Sequence, residues 1–342
     1  MTTKATSIDI AYRAGVSQST VSRALRNSPL VNEETRLRVQ AIAKELNYKV
    51  DKNASNLRTQ SSLTLALLLC EDPTNDDSLI NPFFLSMLGS ITRATAQQGY
   101  DLLVSFQQLS SDWHADYEDS NKADGIILLG YGDYMDYEEK LNKLAAQNTH
   151  LVIWGPAQHK SSVLSIGCDN RQGGVLATEH LLAKGRRHIA FLGDASSHSP
   201  EFQARYLGHQ QALKAAGVPL QKGLQVDAIS TESSGFEAAS QLLAQKRPFD
   251  AIFAASDLIA IGAMRALKEQ GIKVPEDVAI VGYDDIPVAS FANPPLTTIK
   301  QNTKLAGEIL VESLLKQIKG QEVSNQLIPT SLIERESCGK KL

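Results

Sequence analysis

The sequence predicts an N-terminal all-α helix-turn-helix head followed by an α/β body of two doubly wound lobes with parallel sheets. Three observations predict it. Residues 7–26, SIDIAYRAGVSQSTVSRALR, set two short helical segments on either side of one glycine. From residue 63 onward, apolar runs of strand length alternate with amphipathic helical stretches. Charge is also unevenly divided, with ten Lys/Arg against five Asp/Glu in residues 1–60 and 24 against 33 in the rest. The whole chain, 342 residues with a formal net charge of −4 and 42% apolar residues, is long enough to bury large cores in two or three domains.

Within the head, Thr6 is placed to cap the first helix, with Asp9 three positions on in a capping-box relation. Ile10 and Ala14, four apart, share the buried face. Gly15 stops the helix, because the residue after a helix end usually needs a positive φ that glycine adopts freely. Ser17 restarts it as an N-cap, and Val21 and Leu25 give the second helix its apolar stripe. Gln18, Ser19, Ser22 and Arg23 are left on the other face near the helix N-terminus, where amide and guanidinium groups can read base edges in a major groove. An αα-hairpin with a solvated polar face would look the same over these residues alone. The basic balance of the head, set against an acidic remainder, favours DNA. Asn32 caps a third helix beginning Glu33-Glu34, with Leu37, Val39, Ile42, Ala43 and Leu46 as its apolar positions. Arg36, Arg38 and Lys44 are candidate phosphate contacts or solvated surface charges.

Residues 1–48 therefore read as a DNA-binding head, residues 49–62 as a polar linker and residues 63–342 as the body. Inside the linker Asp51 can cap a short helix, too short to persist alone in water. Leu57 there has no local core. It either packs on the neighbouring domain or wedges into a base step when the helix folds on DNA.

In the body, strands are expected at 63–69, 101–106, 125–130 and 151–155 in a first run. A second run holds 163–167, 188–193, 224–229, 250–255 and 278–283, and the helix over 81–100 closes at Gly99. Buried strands separated by helices mean parallel sheets with right-handed crossovers, one sheet per run. Ligands of such sheets sit beyond the carboxyl ends of the strands. Those ends carry Glu71, Asp72, Phe106, Gln107, Tyr131, Asp133, Trp154, Ser256, Asp257, Asp284 and Asp285, and Arg205 follows in the helix after 188–193. Carboxylates, amides, one guanidinium and flat aromatic faces together suit a polyhydroxylated ligand.

The opening MTTKATSIDI has no secretory apolar run, and no later stretch reaches transmembrane length. Cys70, Cys168 and Cys338 are far apart and show no metal-ligand spacing, so a reduced, cytoplasmic protein without cofactor or metal is expected. Enzyme signatures are missing too: no P-loop, no GxSxG, no HExxH and no GxGxxG after a strand. A transport-type sugar-binding protein would share the two lobes but not the basic head.

IDIAYRAGVSQSTVSRAL with TRLRVQAIAKELNY, and in the body GVLATEHLLAKGRRHIAFLG, DAIFAASDLIAIGAMRALKEQGIKVPEDVAIVGYDDIP and PPLTTIKQ, carry a resemblance over essentially the whole chain. The sequence resembles the lactose-repressor (LacI/GalR) family of bacterial transcription regulators. That resemblance implies a homodimer on a near-palindromic operator, a body similar to periplasmic sugar-binding proteins, and a small effector, a mono- or disaccharide, in the cleft. It implies a repressor controlled allosterically and not an enzyme. Ser17, Gln18, Ser19, Ser22 and Arg23 match the recognition contacts, and Leu57 the hinge-helix wedge. The effector set implied is Phe83, Tyr131, Trp154, Arg205, Ser256, Asp257 and Asp284. The chain departs from the family pattern at Val50, Asp51 and Ser55 in the hinge, at Trp154 where the lactose repressor is acidic, and at Ser256 in place of Asn. Residues 336–342 carry no heptad, which favours a dimer over a tetramer.

Overall fold

The computed structural model describes residues 5–48, 61–69, 81–107, 112–130, 133–156 and 163–339. The linker helix, its departures from the family pattern, Leu57 and Tyr131 lie outside the described residues. By contacts the chain divides into two units, Met1–Ser62 and Leu63–Leu342.

The first unit contains α1 (Ser7–Ala14), α2 (Gln18–Leu25) and α3 (Glu33–Glu45). Its small core is Ile10, Ala14, Val21, Ala24, Val31, Val39 and Ala43, flanked by half-buried Leu25, Ile42 and Leu46. Leu37, expected in that core, is 57% exposed. It lies two residues from Val39 and therefore about 200° around the helix axis from the buried face.

The second unit begins with β1 (Thr64–Leu69), α4 (Pro82–Gln97) and β2 (Asp101–Phe106), followed by a π-helical segment, His114–Asp119. β3 (Ile126–Leu129), α5 (Tyr134–Ala146), β4 (Leu151–Trp154) and β5 (Leu164–Cys168) come next. Then follow α6 (Asn170–Ala183), β6 (Ile189–Leu192), α7 (Pro200–Ala215) and β7 (Gln225–Val226). α8 (Glu232–Ala244), β8 (Ala251–Ala254), α9 (Asp257–Glu269) and β9 (Ala279–Asp284) continue the alternation. The chain closes with β10 (Thr297–Lys300), α10 (Thr303–Ile318), β11 (Gln326–Ile328) and β12 (Ser331–Ile333).

Two six-stranded sheets result, ordered β11-β5-β4-β3-β1-β2 and β12-β10-β9-β8-β6-β7. Every pairing is parallel except that of β10 with β12, an antiparallel edge which the all-parallel expectation missed. The division into two consecutive runs also needs correction. β5, expected to open the second sheet, pairs with β4 in the first, and β11 joins it from near the C-terminus. The chain thus crosses between lobes after β5, after β10 and after β11. β7 covers only two residues of the 224–229 run. The central strands β3, β4, β6 and β8 are buried throughout, as strands covered by helices on both faces must be. β2, at an edge, leaves Leu103, Val104 and Phe106 exposed.

α6 and α7 approach closely enough to fix the second lobe's geometry. A Cβ on Gly174 would lie 2.1 Å from the Arg205 carbonyl oxygen, and one on Gly208 would lie 2.1 Å from that of Arg171. Only glycine permits that backbone contact, and it places Arg205.

Candidate nucleic-acid interface and ligand cleft

The head's helices are set by local hydrogen bonds. The Thr6 backbone N–H donates to Asp9 Oδ2 at 2.7 Å, and these Thr6 bonds hold the Asp9 carboxyl below its ordinary range. Gly15 ends α1 at φ +63°. Ser17 Oγ then accepts the Thr20 N–H at 3.1 Å, capping α2. Ser17, Gln18, Ser19 and Arg23 are exposed and Ser22 is half-buried. Gln18 Nε2 donates to Ser7 Oγ at 2.7 Å, which ties the start of the second helix to the first. The Ser17 and Ser19 hydroxyls share a 2.7 Å bond, and Arg26 donates to Ser22 Oγ at 3.1 Å. Arg13 pairs with Glu45 at 3.0 Å and Arg36 lies 3.8 Å from Glu33. Arg23, Arg38 and Lys44 are exposed with no ion-pair partner among the described residues, which leaves them available to phosphates or bases.

In the second unit, the strand ends meet where the chain crosses between lobes. Arg205, 5% exposed, donates from Nε to Asn170 Oδ1 at 2.9 Å and from Nη1 to the Ala255 carbonyl. Its guanidinium lies 3.7 Å from the Tyr283 ring centre and 3.8 Å from Asp284 Oδ1. Asp284 Oδ1 also accepts from Gln301 Nε2 at 2.6 Å. Burial pushes the Asp284 carboxyl above its ordinary range, against the opposing pull of Arg205 and of the Gln301 bond. Asp284 and Asp285 take φ of +114° and +58°, a left-handed backbone costly for residues with side chains. Asp285 is held there by Arg335 at 2.6 Å and Lys300 at 3.5 Å.

Asp257 is placed differently from the cleft residue the sequence suggests. It is fully buried, and both carboxylate oxygens are already engaged. Thr298 Oγ1 donates to Oδ1 at 2.5 Å and the Ile286 N–H to Oδ2 at 2.8 Å. Burial, and then the nearby Asp284, raise its carboxyl well above the usual range. Its geometry is that of a brace between α9, β10 and the loop after β9. Ser256 caps α9 through the Ile259 N–H at 3.3 Å and accepts from Ser230 Oγ at 2.9 Å. Asn81 Nδ2, at the start of α4, donates in turn to Ser230 Oγ at 3.2 Å, so this relay reaches from one lobe to the other. A second link pairs His198 Nδ1 with Asp133 Oδ2 at 2.5 Å, beside a 3.0 Å bond from the Tyr134 N–H to the His198 carbonyl. Phe83 and Trp154, both mostly buried in the first lobe, lie with ring centres 6.0 Å apart.

The structure therefore brings together Arg205, Asp284 and Ser256 with their partners, and brings Phe83 to Trp154. Asn170, Gln301, Asn81 and Ser230 were missed by sequence reasoning. Asn170 and Gln301 each follow the end of a strand, β5 or β10, so the strand-end rule already applied could have found them. Among the described residues, no helix is long and apolar enough to cross a membrane.

Residues 8–51 match the family model described as bacterial regulatory proteins, lacI family, and residues 178–338 match that of a periplasmic binding protein-like domain. The ribose operon repressor of Escherichia coli strain K12 is 30% identical over 98% of this chain and 100% of its own length. A crystal structure of the lac repressor dimer bound to operator and an anti-inducer is 30% identical, with a TM-score of 0.84 over 98% of this chain and 99% of that one. A complex of the regulator CelR with cellobiose is also 30% identical, with a TM-score of 0.72 over 97% of this chain and 99% of that one.

Proposed function

The chain belongs to the lacI family of bacterial regulatory proteins, and from that premise we propose a sequence-specific transcriptional repressor whose operator affinity is set by a small sugar held between its two lobes. It is a regulator and not an enzyme. Residues 1–48 form the DNA-binding head and 49–62 the linker, on a 63–342 body. Gln18, Ser19 and Arg23 read bases, Ser17 and Ser22 hold phosphate, and Leu57 wedges the operator centre. Two copies, working in the cytoplasm, grip the two halves of a near-palindrome. Exposed apolar residues at the first lobe's edge, Leu85, Leu103, Val104 and Phe106, suit burial against a second copy.

In the body, Phe83, Tyr131 and Trp154 offer ring faces to the sugar, while Arg205, Asp284 and Ser256 offer hydrogen bonds. The observation that carries this reading is the junction at Arg205. Its guanidinium is anchored by Asn170 and by the Ala255 carbonyl, at a point where the chain passes between lobes. A ligand that takes one of its bonds acts on both lobes at once and biases their relative positions. Linkage requires that operator DNA alter sugar affinity by the same factor that sugar alters operator affinity.

Thermal-shift screening against mono- and disaccharides, followed by operator titration with each hit, tests the reading. A hit that changes operator affinity is the expected outcome. Sugar binding without any change in affinity for DNA, or no salt-sensitive preference for any palindrome, would overturn it.

A further inference from the structure

The covalent crossings between the lobes and the polar links between them leave from opposite sides of the two sheets. The chain leaves for the other lobe from β5, β10 and β11. β5 and β11 are neighbours at one edge of the first sheet, and β10 lies next to the edge strand β12 of the second. The links start elsewhere. Asn81 and Asp133 follow β1 and β3, which lie toward the β2 edge, and His198 and Ser230 follow β6 and β7 at the far edge of the second sheet. All four immediately precede or open onto helices, α4, α5, α7 and α8, at the end of each sheet where the cleft residues stand. The body is therefore hinged by its chain on one side and bonded on the other.

Each first-lobe partner is a helix cap that divides its side chain between two tasks. Asp133 Oδ1 accepts the Met135 N–H at 2.9 Å, capping α5, while Oδ2 lies 2.5 Å from His198 Nδ1. Asn81 Oδ1 accepts the Phe83 N–H at 2.9 Å, capping α4, while Nδ2 donates to Ser230 Oγ at 3.2 Å. A bond to a carboxylate is the stronger of these two links. On the second lobe a tight turn presents the histidine. The His198 N–H donates to Ser196 Oγ at 3.2 Å, the Ser196 N–H to Asp194 Oδ1 at 2.9 Å and Ser199 Oγ to Asp194 Oδ2 at 2.7 Å. The Tyr134 N–H, a first-turn amide with no acceptor in its own helix, donates across to the His198 carbonyl at 3.0 Å. The His198 and Asp133 side chains are 55% and 37% exposed, so the pair can part without stranding a buried charge.

We propose that His198 and Asp133 form a clasp on the rim of the cleft opposite the chain crossings, which holds the two lobes on each other and limits access to the space between them. The proposal rests on the reading of that cleft as the sugar site. Lobes hinged on one side open by separating on the other, so the free energy of the clasp enters the balance of open and closed states directly. Its place far from the crossings gives it the longest lever on that motion.

The full-length protein is to be compared with His198→Ala, Asp133→Asn, the double variant and His198→Lys. Asparagine still caps α5, so Asp133→Asn keeps the helix while removing the charge. Residue-resolved hydrogen exchange reads the Tyr134 amide, which bonds across the lobes, against the Met135 amide, which bonds only the cap. Acrylamide, a small neutral quencher, reads access to Trp154, with Trp113 in a separate core cluster as the constant background. Each single variant should speed Tyr134 exchange about two- to fivefold, the range of an exposed ion pair, with Met135 unchanged and Trp154 quenching raised by a similar factor. The double variant should go no further than either single one, and His198→Lys, which keeps a cation opposite Asp133, should return both readouts toward wild type. Unchanged Tyr134 exchange in His198→Ala, or additive effects of the two substitutions, would overturn the clasp. Faster exchange with unchanged quenching would overturn its control of access. Failure of wild type to bind any mono- or disaccharide in thermal-shift screening, with the variants behaving as expected, would instead overturn the sugar reading and leave the clasp standing.

Discussion

The head and the junction around Arg205 satisfy their polar groups in opposite ways. In the head most bonds are local: Thr6 to Asp9, Ser17 to Thr20, Asn32 to Thr35, each three residues apart. At the junction they are distant: Arg205 bonds Ala255 50 residues on, Thr298 reaches Asp257 across 41, and Arg335 reaches Asp285 across 50. A helix cap costs little chain entropy because its partners are already neighbours, whereas each junction bond exists only once two lobes have been assembled. Exposure differs as well. The head keeps Gln18, Ser19 and Arg23 in water, while the junction has buried a guanidinium and two carboxylates, where a lost partner leaves a charge stranded. Damage to the junction should therefore be large and confined to the body. Damage to the head should be small in stability and large only in DNA binding.

The widest separation is expected from Arg205→Ala. Removing the guanidinium leaves Asp284 buried beside Tyr283, at a cost of about 3–5 kcal/mol to the body. Calorimetry should show the body's transition lowered and titration should show sugar response abolished. An unchanged sugar response would remove Arg205 from the cleft.

Acid should act on the body next. His209 is fully buried among Phe191, Tyr206 and Phe253, with Nδ1 3.0 Å from Thr178 Oγ1, and burial pushes its proton affinity down to about 3. The unfolded chain binds that proton near pH 6.5 and the folded chain does not, so stability is complete above about pH 6.5 and declines below it. The loss by pH 5 should be about 2 kcal/mol, read as a falling melting temperature that His209→Gln makes shallower. An identical slope in that variant would assign the effect to other groups.

On the head, Arg23→Ala should cost about 1–3 kcal/mol on the cognate operator and relax preference at one base pair. Equal losses on cognate and scrambled duplexes would make Arg23 a phosphate contact instead. Ser17→Ala, which removes the cap of α2, should lower head stability by about 1 kcal/mol and leave body melting and sugar binding untouched. If the body's transition moves with it, the two regions are not independent.

The same contrast explains what could be read in advance. Thr6, Asp9, Gly15, Ser17 and Asn32 do in the structure what their local spacing predicts, because the caps they form involve residues at most four apart. Strand runs such as 64–69 and 279–284 were legible for a related reason, since continuous apolar runs this short, set among longer amphipathic stretches, match the length of buried strands better than that of helices. Which sheet a strand joins was not legible. β5 reads like any other apolar run, and nothing in LSIGC marks it for the first lobe instead of the second. Asp257 shows the same limit at the level of one side chain. At a strand end it reads as a ligand for the cleft, yet Thr298 and Ile286, far along the chain, have taken both its oxygens.

By itself the sequence determined the helix-turn-helix head, its basic charge, the alternation of strands and helices in the body and the family to which the chain belongs. Tertiary structure alone decided that the chain crosses between lobes three times, that Asn170 and Gln301 join Arg205 and Asp284, and that Asp257 is a brace. The reason is one of range. Caps, periodicity and net charge are properties of neighbouring residues, whereas sheet order and buried polar pairing depend on which distant segments win the competition to bury one another.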